Sequence, residues 1–212
     1  MTNDVSESIS QRFGREEIEE TRRIQEITDE LSRRCSLYET QFREGKADGN
    51  GRVEQYVTEI FAKENGLWLS ISDMFALGIP GPSGNENDTY VAGDVIYKVN
   101  NLLNSNGSII RLLQKVVWHN RLFPDTAYLL HAFTGFDGGS VMPVLKQSFV
   151  HNSFPATTIE IETYMAALGF AKLEANGHFS NGEYRVWDLL PRNVLKDSEG
   201  DIYVIDVEIW PL

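Results

Sequence analysis

The sequence predicts an α+β fold in which long helices come first and antiparallel strands follow. Three observations predict it. Apolar residues recur at helical spacing before residue 65. Near Leu67 the period changes to short strand-like runs between Gly- and Pro-rich turns. The chain then closes on two short apolar runs, Val194-Leu195 and Ile202–Ile205, around the polar turn Lys196–Asp201, which is a hairpin pattern.

Composition sets the bounds. A chain of 212 residues holds one compact domain with an appendage, or two small lobes, and 42% hydrophobic residues supply a real core. A net charge of −12 argues against nucleic acid as a bulk partner, because phosphate is repelled. Cys35 is the only cysteine, so neither an intrachain disulfide nor a thiolate metal site is expected, and a reducing cytoplasm fits. The start Met-Thr-Asn-Asp has no apolar signal core, and no run reaches the ~18 apolar residues of a membrane span.

Residues 1–14, polar and Ser-rich, read as a disordered tail. From Arg15 to about Glu44 a stripe of Ile24, Ile27, Leu31, Cys35, Tyr38 and Phe42 marks one long helix. Such a stripe is buried against its own domain, or against a second copy or partner; both uses stay open. Residues 45–51 read as a linker, so 15–50 form a helix-and-linker segment. Arg52 to Asn65 is a second, packing helix with Val53, Tyr56, Val57, Ile60 and Phe61 on one face and Gly66 as its stop.

Strands are expected at Trp68–Ile71, Thr89–Val91 and Val95–Val99, with the turn-forming run Gly78–Asp88 between the first two. A buried helix spans Ser105 to Leu122. Two more strands, 127–136 and 140–150, flank an Asp137-Gly138-Gly139 turn and complete a sheet of about five. A helix capped by Thr157 or Thr158 ends at Gly169, and Phe179 to Val186 leads into the last loop.

That loop carries the chemistry. Asp188 precedes a Leu-Leu-Pro turn, Asn193 starts one strand of the closing hairpin, and Asp206 ends the other. A hairpin folds its ends together, so Asn193 and Asp206 are expected at one end with Asp188 beside them. Two oxygen ligands and a free carboxylate suit a hard cation that also carries phosphate oxygens. The free carboxylate then takes a proton from an attacking hydroxyl.

Here the sequence resembles the protein-kinase superfamily. Asp188-Leu189-Leu190-Pro191-Arg192-Asn193-Val194-Leu195 and Val204-Ile205-Asp206-Val207-Glu208 are similar to H-x-D-L-x-P-x-N-V-L and V-I-D-x-E of the kinases that include the aminoglycoside kinases. The resemblance implies Asp188 as catalytic base and Asn193 and Asp206 as Mg²⁺ ligands. Val186 stands where the motif has His, and the tail reads Asp-Val-Glu rather than D-F-G.

The preceding sequence follows the same order. Gly78, Gly81 and Gly84 precede the strand Val95-Ile96-Tyr97-Lys98-Val99, as a Gly-rich loop precedes the V-A-I-K strand of a kinase. By that resemblance Gly81, Ser83, Gly84 and Lys98 hold the ATP phosphates, and the backbone of Gln147 to Phe149 pairs with an adenine edge. No acid lies between Val95 and Phe123 to serve as the helix-C glutamate; Gln114, His119, Glu59 and Glu64 are the alternatives as Lys98's partner. From Leu67 to Leu212 the chain is similar to the small kinase-like domains of bacterial mobile-element and phage polyvalent proteins. Gly-Pro-Ser-Gly-Asn-Glu-Asn, Tyr-Lys-Val-Asn-Asn-Leu, His-Asn-Arg-Leu-Phe-Pro and Arg-Val-Trp-Asp-Leu carry that likeness.

The expectation is a minimal kinase-like fold: a β-rich N-lobe over 51–150 and a truncated C-lobe over 151–212, since the sequence ends six residues after Asp206. It implies a nucleotide, ATP with Mg²⁺, and a phosphoacceptor that the sequence does not identify. A nucleotide-binding pseudokinase is the alternative, and an assembly protein built on the long helix is a third.

Overall fold

The computed structural model describes residues 15–42, 50–136 and 139–212. The expected tail 1–14, most of the expected linker, and Asp137 and Gly138 of the expected turn lie outside the described residues. The described chain is α+β and divides into two compact units.

The first unit is Arg15–Val117 with Tyr128–Phe149. Helix α1 (Arg15–Phe42) buries Ile24, Ile27 and Leu31 in the unit's main core, with Cys35 and Tyr38 packed partly against it. The stripe is therefore used inside its own unit. Helix α2 (Asn50–Glu64) adds Val57 and Phe61 to that core. Tyr56, expected on the same face, is 51% exposed and sits instead 5.4 Å from the Tyr38 ring. Gly66, at φ 65°, ends the segment in a conformation that costs a residue with a Cβ.

The strand expected over Trp68–Ile71 does not form. Ser70 accepts the Asp73 N–H at 3.1 Å and donates to Asp73 Oδ2 at 2.7 Å, which starts a short helix α3 (Ile71–Phe75). Only a parallel bridge from Trp68 to Phe133 remains of that strand.

The sheet still has five strands: β1 (Ile79–Pro80), β2 (Asn87–Ala92), β3 (Val95–Asn100), β4 (Leu129–Gly135) and β5 (Val141–Ser148), in the order β1-β2-β3-β5-β4, with every pair antiparallel. Pro80 is tolerated because β1 is an edge. One side of the sheet contributes Tyr90, Val99, Ala132 and Val144 to a small core with Met74 of α3. Leu130, Phe133 and Leu145 join the main core with α1, α2 and the first part of α4 (Ile109–Leu122). A bulge between Leu130 and Ala132 interrupts β4, and α1 satisfies it: Glu20 accepts the Leu130 N–H at 3.0 Å and Arg23 donates to its carbonyl at 3.1 Å.

The second unit is Trp118–Ala127 with Val150–Leu212. Its boundary differs from a single cut at residue 150, because the last turn of α4, Phe123 and a 3-10 turn (Pro124–Thr126) pack here. Thr126 Oγ1 donates to the Val204 carbonyl, and His119 Nε2 bonds the Thr126 carbonyl at 3.1 Å. Helix α5 (Thr158–Ala167) starts in a complete capping box of Thr157 and Glu160. Two small sheets surround its buried Ile161 and Met165. One has β6 (Phe154–Pro155), β10 (Val194–Lys196) and β11 (Ile202–Val204). The other has β7 (Ala171–Lys172), β8 (Phe179–Ser180), β9 (Tyr184–Trp187) and β12 (Glu208–Pro211). No described helix is long and apolar enough to cross a membrane.

Candidate active site

Two antiparallel ladders set the geometry of the second unit's loop. In the closing hairpin Val194 faces Val204, and the Ile205 N–H donates to the Asn193 carbonyl at 2.9 Å. In the other ladder Trp187 faces Glu208. Asp188 leaves β9 where β12 begins, and Asp206 lies in the short step between β11 and β12. The same chain segment thus serves both ladders, which brings Asp188, Asn193 and Asp206 to one end of them. Strand β12 was not foreseen from sequence, where Val207–Leu212 read only as a tail.

Asp188 has φ 62°, a left-handed conformation that Asp tolerates better than most residues with a Cβ. The backbone around it is held: the Leu189 N–H donates to the Gly177 carbonyl at 3.1 Å and the Asn193 N–H to the Leu190 carbonyl at 2.8 Å. Asn193 is buried, and its Nδ2 donates to both the carbonyl and Oδ2 of Asp188, each at 2.8 Å. With the amide nitrogen committed in this way, Oδ1 is the Asn193 atom left as an acceptor. Arg192 closes an ion pair on Asp188 Oδ1. Val186, at the motif's His position, is fully buried in the core, and Trp187 stacks on His178 with centroids 6.4 Å apart.

Two further contacts stiffen this hairpin. Asp197 accepts the backbone N–H groups of Glu199, Gly200 and Asp201 at 2.9 to 3.0 Å, closing the turn. Lys196 of β10 pairs with Glu160 of the α5 capping box. The Lys196 hydrogen bond, then those from Thr157, hold the Glu160 carboxyl down to about 2. A depressed carboxylate stabilises the fold above its unfolded value, and that gain is lost as pH falls through the folded value. Glu160→Gln is thus expected to lower the melting temperature at pH 7. The gap to the parent protein should close as pH falls from 4.5 toward about 2, which thermal melts across that range check.

The other predicted residues belong to the first unit. Gly81 and Gly84 serve their own hairpin: their N–H groups donate to the carbonyls of Thr89 at 2.9 Å and Asn87 at 3.0 Å. A Cβ on Gly81 would stand 2.7 Å from Thr89 Oγ1, so close approach of β1 to β2 explains that glycine. Gly84 and Ser83 are exposed, and nothing lies within 4 Å of a Cβ built on Gly84. Lys98 is 6% exposed and donates to the Tyr128 hydroxyl at 3.1 Å. Tyr128 was absent from the alternatives. Of those, Glu59 takes Lys63 at 2.7 Å, Glu64 takes Arg34 at 2.6 Å, and His119 bonds Thr126. Gln147 is buried in β5 opposite Ile96, and the Phe149 N–H donates to the Asp94 carbonyl at 2.8 Å.

Sequence reasoning also missed Glu86 and Arg192. Glu86 is an acid inside a Gly- and Asn-rich turn, yet it is buried, 3.7 Å from Lys115 of α4 and accepting from Asn104 at 2.8 Å. Among the described residues no three of His, Cys, Asp and Glu cluster as a metal site.

The fold, with its catalytic-type loop and hairpin, is that of a small kinase-like protein. A family model described as Serine/Threonine/Tyrosine Kinase found in polyvalent proteins matches residues 52–210, three quarters of the 212 residues, and the chain belongs to that family. Helix α1 lies outside the matched span. No curated protein matches the chain.

Proposed function

We propose that this kinase-like protein is a Mg²⁺-dependent phosphotransferase that moves the γ-phosphoryl group of ATP to a hydroxyl acceptor. The observation that carries this reading is the Asp188–Asn193 hydrogen bond at the base of the hairpin that leads to Asp206. The family description supports a Ser, Thr or Tyr hydroxyl as acceptor. Asp188 would orient that hydroxyl and take its proton. Asn193 Oδ1 and the Asp206 carboxylate are hard oxygen donors, a set that fits Mg²⁺, and these residues would hold it. When bound, the cation supplies charge neutralisation at the phosphates.

Lys98 would contact phosphate, with Gly81, Ser83 and Gly84 beside it. Because the Gly81 and Gly84 N–H groups already have partners, exposed Ser83 is the stronger contributor in that loop. At the end of β5, Gln147 and Phe149 would meet the adenine edge, with Phe149 offering its carbonyl rather than its committed N–H.

A nucleotide-binding pseudokinase is the second reading, favoured by the buried Val186 at the His position and by those engaged glycine N–H groups. Thermal melts with ATP, with and without Mg²⁺, and transfer of labelled γ-phosphate decide between them. Mg²⁺-dependent stabilisation with label transfer supports the enzyme. Stabilisation without turnover supports the pseudokinase, and no response to nucleotide overturns both.

A further inference from the structure

Both carboxylate oxygens of Asp188 are engaged, by partners of different kinds. Asn193, on Oδ2, is buried and fixed by its second bond to the Asp188 carbonyl. Arg192, on Oδ1, has a side chain 64% exposed and uses one of its five N–H donors on that contact. Oδ1 keeps a second acceptor site beside this contact, and an acceptor hydroxyl that gives its proton there meets the guanidinium at the same oxygen.

We propose that Arg192 selects the acceptor: it turns from Asp188 to a carboxylate or phosphate lying next to the hydroxyl, so the site takes anionic hydroxyl compounds. This rests on Asp188 being the base, as proposed above. A neutral acceptor that displaces Arg192 loses a charge-assisted hydrogen bond and returns nothing. An anionic acceptor replaces it, and the planar guanidinium matches carboxylate or phosphate through two parallel bonds. The movement is a side-chain rotation, because the loop backbone stays tied at Leu190, Asn193 and Ile205. Lys196, four residues further on, does not duplicate the role, because it is paired with Glu160. With a net charge of −12, the chain's overall field repels anions, so selection falls to this local group.

In the reaction the acceptor oxygen forms a bond to the γ-phosphorus. The bond from that phosphorus to the β–γ bridging oxygen breaks and ADP leaves with the electron pair. The hydroxyl proton passes to Asp188 Oδ1, which Arg192 has vacated.

The anion has two sources, a small hydroxy acid or an acidic protein segment, and two arms separate them. Labelled γ-phosphate transfer is measured to glycerate against glycerol, and to Ser, Thr and Tyr peptides with Glu flanks against the same peptides with Gln flanks. In one arm the parent protein is expected to favour the anionic acceptor by about tenfold or more in kcat/KM. Arg192→Gln should bring that ratio close to one by raising KM for the anionic acceptor, without raising KM for ATP. Arg192→Lys should keep part of the preference, since it retains charge but not the fork. Equal use of neutral and anionic acceptors, a preference untouched in Arg192→Gln, or ATP hydrolysis with transfer to no acceptor overturns this proposal alone. Absence of all Mg²⁺-dependent turnover overturns the phosphotransferase reading and this one with it.

Discussion

Asp188→Asn should lower phosphoryl transfer by about 10²–10⁴-fold while Mg·ATP still raises the melting temperature. The substitution is chosen for its backbone. At φ 62° Asn is tolerated nearly as well as Asp, whereas a β-branched residue would be strained. The new side chain can still accept from Asn193 through its one oxygen, so the loop keeps its inner anchor. It loses the charge that pairs with Arg192 and the capacity to take a proton. Transfer assays with labelled ATP and melts of the same preparation read the two effects separately. Unaltered transfer would remove Asp188 from the reaction. Loss of both transfer and nucleotide stabilisation would mean that the substitution disturbs more than proton transfer.

That loop was legible in the sequence because its determinants are local. Asp188, Asn193 and Asp206 lie within one stretch, and a hairpin of two apolar runs leaves little choice of register. Helix α1 was legible for a similar reason: steps of three and four residues define a face whatever that face packs against. The stripe left open what it would be buried against, and the structure gives the answer: its own core. Periodicity also does not limit the width of the buried arc, and for that reason Tyr56 was misplaced.

Other features depend on competition or on distant pairing. At Trp68–Ile71 the apolar content favours a strand, but Ser70 and Asp73 form a cap that redirects the chain into α3. Strand β12 exists because β9 offers an edge to residues 21 to 27 positions further on, and nothing within Glu208–Pro211 announces that. The glycines of residues 78–84 had two physical uses, approach to phosphate or approach to a neighbouring strand. Gly81 serves the second in this structure. Tyr128 and Lys98 are thirty residues apart, and only the pairing of β3 with β5, and of β5 with β4, carries the two into one core.

Lys98→Met is expected to reduce phosphoryl transfer by about 10²–10³-fold, the scale of removing one positioned donor from a developing charge. Its effect on stability separates this lysine from a surface one. A solvated strand lysine would be replaced within about 0.5 kcal/mol. Lys98 is buried opposite Leu145 on the central strand β3, and its ammonium donates to the Tyr128 hydroxyl. Lys98→Ala empties that buried space and removes a donor from the hydroxyl, at a cost of about 1–3 kcal/mol. Met retains most of the volume, so urea midpoints should rank the parent protein above Lys98→Met and Lys98→Met above Lys98→Ala. Both variants should lose transfer alike, because neither carries the charge. Transfer that follows the stability ranking, with Lys98→Met still active, would make Lys98 a packing residue and leave the phosphates to other groups.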